Sequence, residues 1–372
     1  MRSMRILIQT ILPSPYRVDF FNELGKYCDL TVIYEGKRPN NGLRFNWNDN
    51  KQNNYKAVYL HSKFDNKLNI KAAKYFLSNK YDIKLICCYH TKTGMFLISL
   101  MKLFSIKYYI EIDGGMIKPE EGFFHKKLKQ YMLHGAYKYL SPSESTDEYF
   151  KYYAQANKNQ IYRYSFTSIS QAQTLKQVLS PTDKEKIKKQ LGIPYQKMIL
   201  AVGQFIPRKG FDILLRSIKD LPSNVGVYFI GGKMTKEYES IISDLNLNNI
   251  QFLEFMDSQK LSLYYKASDI FILPTREDIW GLVINEAMAY GLPIITTNKC
   301  VAGVQLLDHQ EITIIPPEDS VSLRNSINKL LTNDNLLRTI GTRNLDYIKK
   351  HCIEDMAQEH IDIFSQHKTS NQ

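Results

Sequence analysis

The chain contains no Cys-x-x-Cys, and its five cysteines (Cys28, Cys87, Cys88, Cys300 and Cys352) are an odd number. That argues against both a zinc site and a disulfide framework, and it fits a reducing, cytoplasmic setting. An uninterrupted apolar run of the roughly 18–20 residues needed to cross a bilayer is also missing. The best attempt, Met95 to Ile110, is broken by Lys102 and Lys107. The first residues run straight into a strand-like segment, Arg5-Ile6-Leu7-Ile8, with no long apolar core and no small-residue cleavage site, so no secretory signal is expected. Gly-x-Gly-x-x-Gly does not occur, which counts against a nicotinamide-dependent oxidoreductase. No two aspartates stand two apart, so the Asp-x-Asp that would hold a divalent ion on a diphosphate is missing as well.

What is present is an ordinary globular mixture, 44% hydrophobic and 23% charged over 372 residues. That length suits two domains of roughly 150–200 residues. The charge is lopsided. Residues 1–170 hold 26 Lys and Arg against 14 Asp and Glu, an excess of +12, while residues 171–372 hold 23 of each. A one-sided basic domain suggests a polyanion or an anionic membrane surface as partner. The plainer explanation is a lysine-rich, solubilising surface. A nucleic-acid module would use the basic half but leave the other half unexplained, so nucleic acid is not expected.

Short apolar runs alternate with helical periods, the pattern of parallel sheets covered on both faces. Strand-like runs stand at Arg5–Gln9, Leu30–Tyr34, Ala57–Leu60, Leu85–Tyr89 and Tyr108–Ile112. A second series begins near Met198–Gly203 and continues through Val225–Gly232, Ile250–Leu253, Asp269–Pro274, Pro293–Thr297 and Ile312–Ile315. The polar stretch from Tyr164 to Tyr195, with Pro181 and Pro194, is placed between them as the connection. Two tandem doubly wound, Rossmann-like α/β domains facing across a cleft are expected. The first covers 1–165, with a C-terminal helix near 352–368 packing back on it, and the second covers 166–351. Ligands of such sheets bind beyond the carboxyl ends of the strands.

Just there, in the second half, lies Pro274-Thr275-Arg276-Glu277-Asp278-Ile279-Trp280-Gly281-Leu282-Val283-Ile284-Asn285-Glu286. A strand ends, an acidic loop follows, and a helix opens around Gly281 to Val283, where free amides suit a phosphate. Glu286, a turn further in, has small or apolar flanks; a carboxylate there suits the vicinal hydroxyls of a ribose, against the plainer reading of an exposed helix residue. Gly203-Gln204-Phe205-Ile206-Pro207-Arg208-Lys209-Gly210 also follows a strand, and its paired cations can neutralise a departing diphosphate.

Over about Met198 to Leu307 these residues resemble the nucleotide-binding domain of family 4 of the glycosyltransferases, retaining enzymes of the GT-B fold. The resemblance implies that Lys209 and Arg208 hold the donor diphosphate, that Gly281, Leu282 and Val283 meet phosphate through the backbone, and that Glu286 binds the ribose. Gly303, in Val301-Ala302-Gly303-Val304, resembles the family's glycine turn beneath the donor. The family's acidic pair is Glu, seven residues, Glu; here that spacing from Glu286 lands on Asp278, with Glu277 one position early. The family's arginine after the glycine that closes the first strand is replaced by Gln204, next to Gly203, and Arg208 is the cation available to supply its charge.

The first half is expected to carry the acceptor, with Tyr16 and Arg17 after Pro13-Ser14-Pro15, His90 after the third run's successor, and Glu111 and Asp113 after Tyr108. Asp113 and His90 are the candidates to face the reacting sugar carbon, against loop-capping roles. Phe123 to Leu133 reads as a basic amphipathic helix, with Phe124, Leu128, Tyr131 and Met132 on one face and Lys126, Lys127 and Lys129 elsewhere. It suits an anionic bilayer, or else packs on its own sheet. The expectation is a cytoplasmic, membrane-peripheral hexosyltransferase that needs no metal or other cofactor. It would move a sugar from a nucleotide-diphosphate donor, UDP rather than GDP, to a lipid-linked or growing glycan, as in bacterial capsule or lipopolysaccharide assembly. A nucleotide-sugar epimerase of the same architecture and a weakly active donor-binding subunit are the alternatives.

Overall fold

The computed structural model describes residues 3–39, 53–118, 120–307 and 312–366. It divides into two units, Met1–Ser168 with His351–Gln372, and Ile169–Lys350. In the first unit the elements run β1 (Arg5–Thr10), α1 (Pro15–Leu24), β2 (Asp29–Tyr34), β3 (Lys56–Tyr59), α2 (Ala73–Phe76), β4 (Ile83–Ile86) and α3 (Lys92–Leu103). They continue with β5 (Tyr109–Glu111), α4 (Phe123–Leu133), β6 (Lys138–Ser141), α5 (Glu144–Tyr149) and β7 (Ile161–Arg163). The strands form one parallel sheet in the order β3-β2-β1-β4-β5-β6-β7. β1, β2 and β4 are buried along nearly their whole length because helices cover both faces, which is why they read as continuous apolar runs.

The second unit opens with α6 (Pro181–Gln190) and β8 (Lys197–Val202). It goes on through α7 (Phe211–Ser217), β9 (Val225–Ile230), α8 (Lys236–Asp244), β10 (Ile250–Leu253), α9 (Ser258–Ala267), β11 (Ile270–Leu273) and α10 (Leu282–Ala289). After β12 (Ile294–Thr297), α11 (Val301–Leu306), β13 (Ile314–Ile315), α12 (Ser320–Leu331) and α13 (Asp334–Ile348), helix α14 (Ile353–Ser365) returns to the first unit and packs on α1. The second sheet is parallel throughout, ordered β10-β9-β8-β11-β12-β13. The boundary between the units, Ser168/Ile169, falls within the stretch 164–195. The later part of that stretch is helical, since Ser180 caps α6 and buried Lys188 ties that helix to Asp269, at 2.7 Å, and to the Gln196 carbonyl.

Both sheets reverse strand order between their first strand and the strand three places on in sequence, β1/β4 and β8/β11. In doubly wound sheets such a reversal opens a crevice at the strand ends. In the second unit it sets the residues after β8 beside those after β11. Gly210 seals that contact. It adopts φ +68°, and a Cβ there would stand 2.0 Å from the Pro274 carbonyl oxygen. Gly210→Ala is therefore expected to cost about 2–4 kcal/mol, since it adds left-handed strain to a backbone clash. Urea unfolding followed by fluorescence of the buried Trp280 checks this. A loss below about 0.5 kcal/mol would show that the two loops can part freely.

Candidate functional site

The loop after β8 is a 3₁₀ turn, Pro207–Lys209, pinned from beneath by the loop after β11. The Arg208 carbonyl accepts from the Arg276 amide and from Thr275 Oγ1, both at 2.8 Å. The Arg276 guanidinium grips Asp212 with two nitrogens, at 2.8 and 2.7 Å, and also bonds Glu318 and the Pro207 carbonyl. Arg276 thus anchors the turn. On this base Lys209 Nζ lies 2.5 Å from Asp278 Oδ2, and Arg208 reaches the Glu277 carbonyl at 2.7 Å and Asp278 Oδ1 at 3.4 Å. Gln204 is exposed and Glu277 enters through its carbonyl.

Asp278 is fixed by its backbone. Its amide donates to the Lys299 carbonyl and its carbonyl accepts from Val301, around an isolated parallel bridge to Cys300. Gly281, at φ +101°, then turns the chain into α10 over Cys300, whose sulfur would be 3.0 Å from a Cβ at that position. The first amides of α10, including those of Leu282 and Val283, have no acceptor within the helix. Trp280 is buried against Asn285, its indole nitrogen donating at 2.9 Å, which steadies this end. Gly303 lies within α11 and not in a turn. It is glycine because a Cβ would meet Thr296 Cγ2 at 2.3 Å.

Glu286 is partly buried on α10 and accepts from the Tyr265 hydroxyl at 2.8 Å; Tyr265 stacks on Tyr290, with ring centroids 5.2 Å apart. Burial pushes its carboxyl up to about 7. Tyr265 was not legible as a partner, because two helices have to pack before it meets Glu286.

In the first unit the strand-end candidates meet as one network. Arg17 donates to Glu111 at 2.6 Å and to Asp113, and the Tyr16 hydroxyl donates to Asp113 at 2.9 Å. Tyr164 and His360 also face Glu111, each at 3.3 Å. Both His360 nitrogens have oxygen partners, Nε2 on Glu111 and Nδ1 on the Met356 carbonyl. Burial alone would raise the Glu111 carboxyl, but Arg17 and His360 outweigh it and hold it down at about 2. Here the expectation is corrected, since Arg17 and Glu111 are buried and position Asp113 rather than present themselves to an acceptor. Asp113, 31% exposed at its side chain, is the open end of the network.

His90 stands apart, exposed in the turn after β4 with its ring edge-on to Tyr89; among the described residues it makes no hydrogen bond. Sequence reasoning missed Glu35, the residue after β2. It is 2% exposed, accepts from Gln9 at 2.5 Å and from Thr91, and burial pushes it up to about 7. The strand-end rule that singled out Asp113 points to Glu35 equally well.

Residues 183–345 match the family described as Glycosyl transferases group 1. An uncharacterised glycosyltransferase of Methanocaldococcus jannaschii is 30% identical over 152 residues, 41% of this chain and 43% of that protein. An uncharacterised 41.2 kDa protein in the cps region of Klebsiella pneumoniae is 26% identical over 252 residues, 67% of this chain and 62% of its own length. These matches thus span roughly half of each relative. The structure of HepE of Anabaena in complex with UDP superposes with a TM-score of 0.79 at 17% identity, covering 98% of this chain and all of that one. The resemblance to group 1 glycosyltransferases is borne out, and the fold is GT-B.

The raised Glu286 carboxyl makes a prediction. Unfolded, it releases its proton near 4.5, and folded only near 7. Across that window the folded state holds the extra proton, so this group's contribution to stability is full below about 4.5 and is lost as pH rises to 7. Glu286→Gln cannot titrate, so its stability relative to wild type should improve between pH 5 and pH 8. Urea midpoints at the two pH values check it, and an unchanged difference would count against a raised carboxyl.

Proposed function

We propose that this protein is a retaining glycosyltransferase that moves a sugar from a UDP-sugar to a hydroxyl of a lipid-linked or growing surface glycan. The observation that carries this reading is the convergence of Lys209, Arg208 and the N-terminus of α10 at the β8/β11 reversal, within the segment that matches group 1 glycosyltransferases. UDP is favoured because HepE, similar in fold over nearly the whole chain, was solved with it. A surface glycan is favoured by the relative from a cps region.

The bond between the anomeric carbon and the diphosphate oxygen breaks with its electron pair passing to that oxygen. Lys209, Arg208 and the α10 amides stabilise the charge that develops there, the work a divalent ion does elsewhere. The acceptor oxygen attacks the same face, and its proton passes to the leaving phosphate. Glu286 holds the ribose, Asp278 the donor-sugar hydroxyls, and Asp113 the acceptor side. No resident metal is needed in this scheme. Lys209→Ala should lower turnover roughly 10²–10³-fold without unfolding the protein, and wild type should keep its rate in excess chelator. Purified protein with a panel of UDP-sugars, with and without lipid-linked acceptor, decides the reaction. A new free nucleotide sugar formed without acceptor would identify an epimerase, and unchanged turnover in Lys209→Ala would overturn the diphosphate assignment.

The acceptor is met at the cytoplasmic face of an anionic membrane, on α4. Only Met132 and Leu133 of that helix are buried, while Phe123, Phe124, Leu128 and Tyr131 are exposed, Phe124 at 85%. A helix packing on its own sheet would bury this face, and the neighbouring lysines match anionic headgroups. Lys129 is not among them, since it pairs with Glu121 at 2.6 Å and lies over Tyr153. Phe123→Ser with Phe124→Ser should weaken sedimentation with phosphatidylglycerol vesicles at least about tenfold. Lys126→Gln with Lys127→Gln should weaken it by about 1 kcal/mol per charge, more at low salt. Wild-type protein that ignores such vesicles would end the membrane assignment.

A further inference from the structure

Lys209 and Asp278 form a largely buried charged pair beyond the carboxyl ends of β8 and β11, with side chains 12% and 8% exposed and atoms 2.5 Å apart. The Asp278 backbone is held in place, because its amide and carbonyl are both bonded to the strand-like segment 299–301. Lys209 can move. Its stem passes Gly203, where a Cβ would lie 3.5 Å from Lys209 Cε, so no side chain blocks its path there. Arg208, at 3.4 Å from the other Asp278 oxygen, also bonds the Glu277 carbonyl and is the more exposed of the two cations. The cation assigned to the diphosphate is thus already neutralised by a fixed carboxylate.

We propose that Asp278 is a competing internal anion, which holds Lys209 in the empty site and retakes it after transfer. This rests on the assignment of Lys209 to the diphosphate. An intact donor satisfies both partners when it separates them, because phosphate takes the ammonium and the sugar hydroxyls take the freed carboxylate. Bare UDP offers nothing to Asp278 and leaves this buried carboxylate beside a phosphate with only the more exposed Arg208, 3.4 Å away, as counter-charge, a costly arrangement. Loss of the sugar therefore shifts Lys209 back to Asp278 and drives the spent nucleotide out. No covalent step is involved. The shorter aspartate, in place of the glutamate of the family pattern, sits at hydrogen-bonding distance from Lys209.

The test is calorimetry of UDP with wild type, Asp278→Asn, Asp278→Ala, Lys209→Met and the double variant Lys209→Met with Asp278→Asn. If Lys209 is free in about a tenth of the empty molecules, apparent affinity is about tenfold weaker than intrinsic affinity. Both Asp278 variants should then bind UDP about tenfold more tightly than wild type, with slower release in stopped flow. In the Lys209→Met background Asp278→Asn should tighten UDP binding clearly less than it does in the presence of Lys209, because only the repulsion between carboxylate and phosphate is then relieved. If Lys209→Met weakens UDP binding but the Asp278 variants bind no tighter than wild type, Asp278 merely steadies the lysine and the proposal is overturned. If Lys209→Met binds UDP as wild type does, or wild type binds none, the underlying assignment falls instead.

Discussion

The arrangement around Lys209 depends on one close approach, that of the Gly210 α-carbon to the Pro274 carbonyl. Because no side chain intervenes, the turn after β8 can rest on the loop after β11. The bonds from Thr275 and Arg276 to the Arg208 carbonyl follow from that contact. The Arg276 fork on Asp212 then stops the turn from lifting. A bidentate guanidinium–carboxylate pair fixes direction as well as distance, which a lysine in its place would not do. Lys209 is therefore delivered by a stack of backbone contacts, and its own side chain is the one soft part.

The electrostatics of that site are finely balanced. With glutamine at 204 the turn offers two cations, and Asp278 lies within reach of both. A site built this way holds an anion less tightly than its lysine and arginine count suggests.

The first unit solves a different problem, that of holding a carboxylate at a strand end without losing its direction. Glu111 is buried and ionised because Arg17 and His360 face it from two helices, α1 and α14. Arg17 then spans from Glu111 to Asp113, which remains the part open to solvent. Phe20 and Tyr164 pack on the His360 ring, so the last helix of the chain is part of this support. Removing one partner would leave a buried charge uncompensated, a costlier change than any surface ion pair implies.

Much of this was legible in the amino-acid order. Continuous apolar runs mark strands buried on both faces, so the two α/β series and the strand-end loops could be placed within a few residues, and Lys209, Asp278, Gly281 and Glu286 with them. Asp113 was placed at a strand end by the same rule, and Glu35 was within its reach. Local pattern could not say which loops become neighbours, because that follows from strand order, and strand order is a long-range choice. Only the folded chain sets Lys209 on Asp278, Tyr265 on Glu286 and His360 on Glu111, pairs separated by 69, 21 and 249 residues. It also turned Arg17, Glu111 and Gly303 from expected ligand contacts into supports. A side chain's type limits what it can bind, whereas its burial, which depends on everything packed around it, determines whether a ligand can reach it.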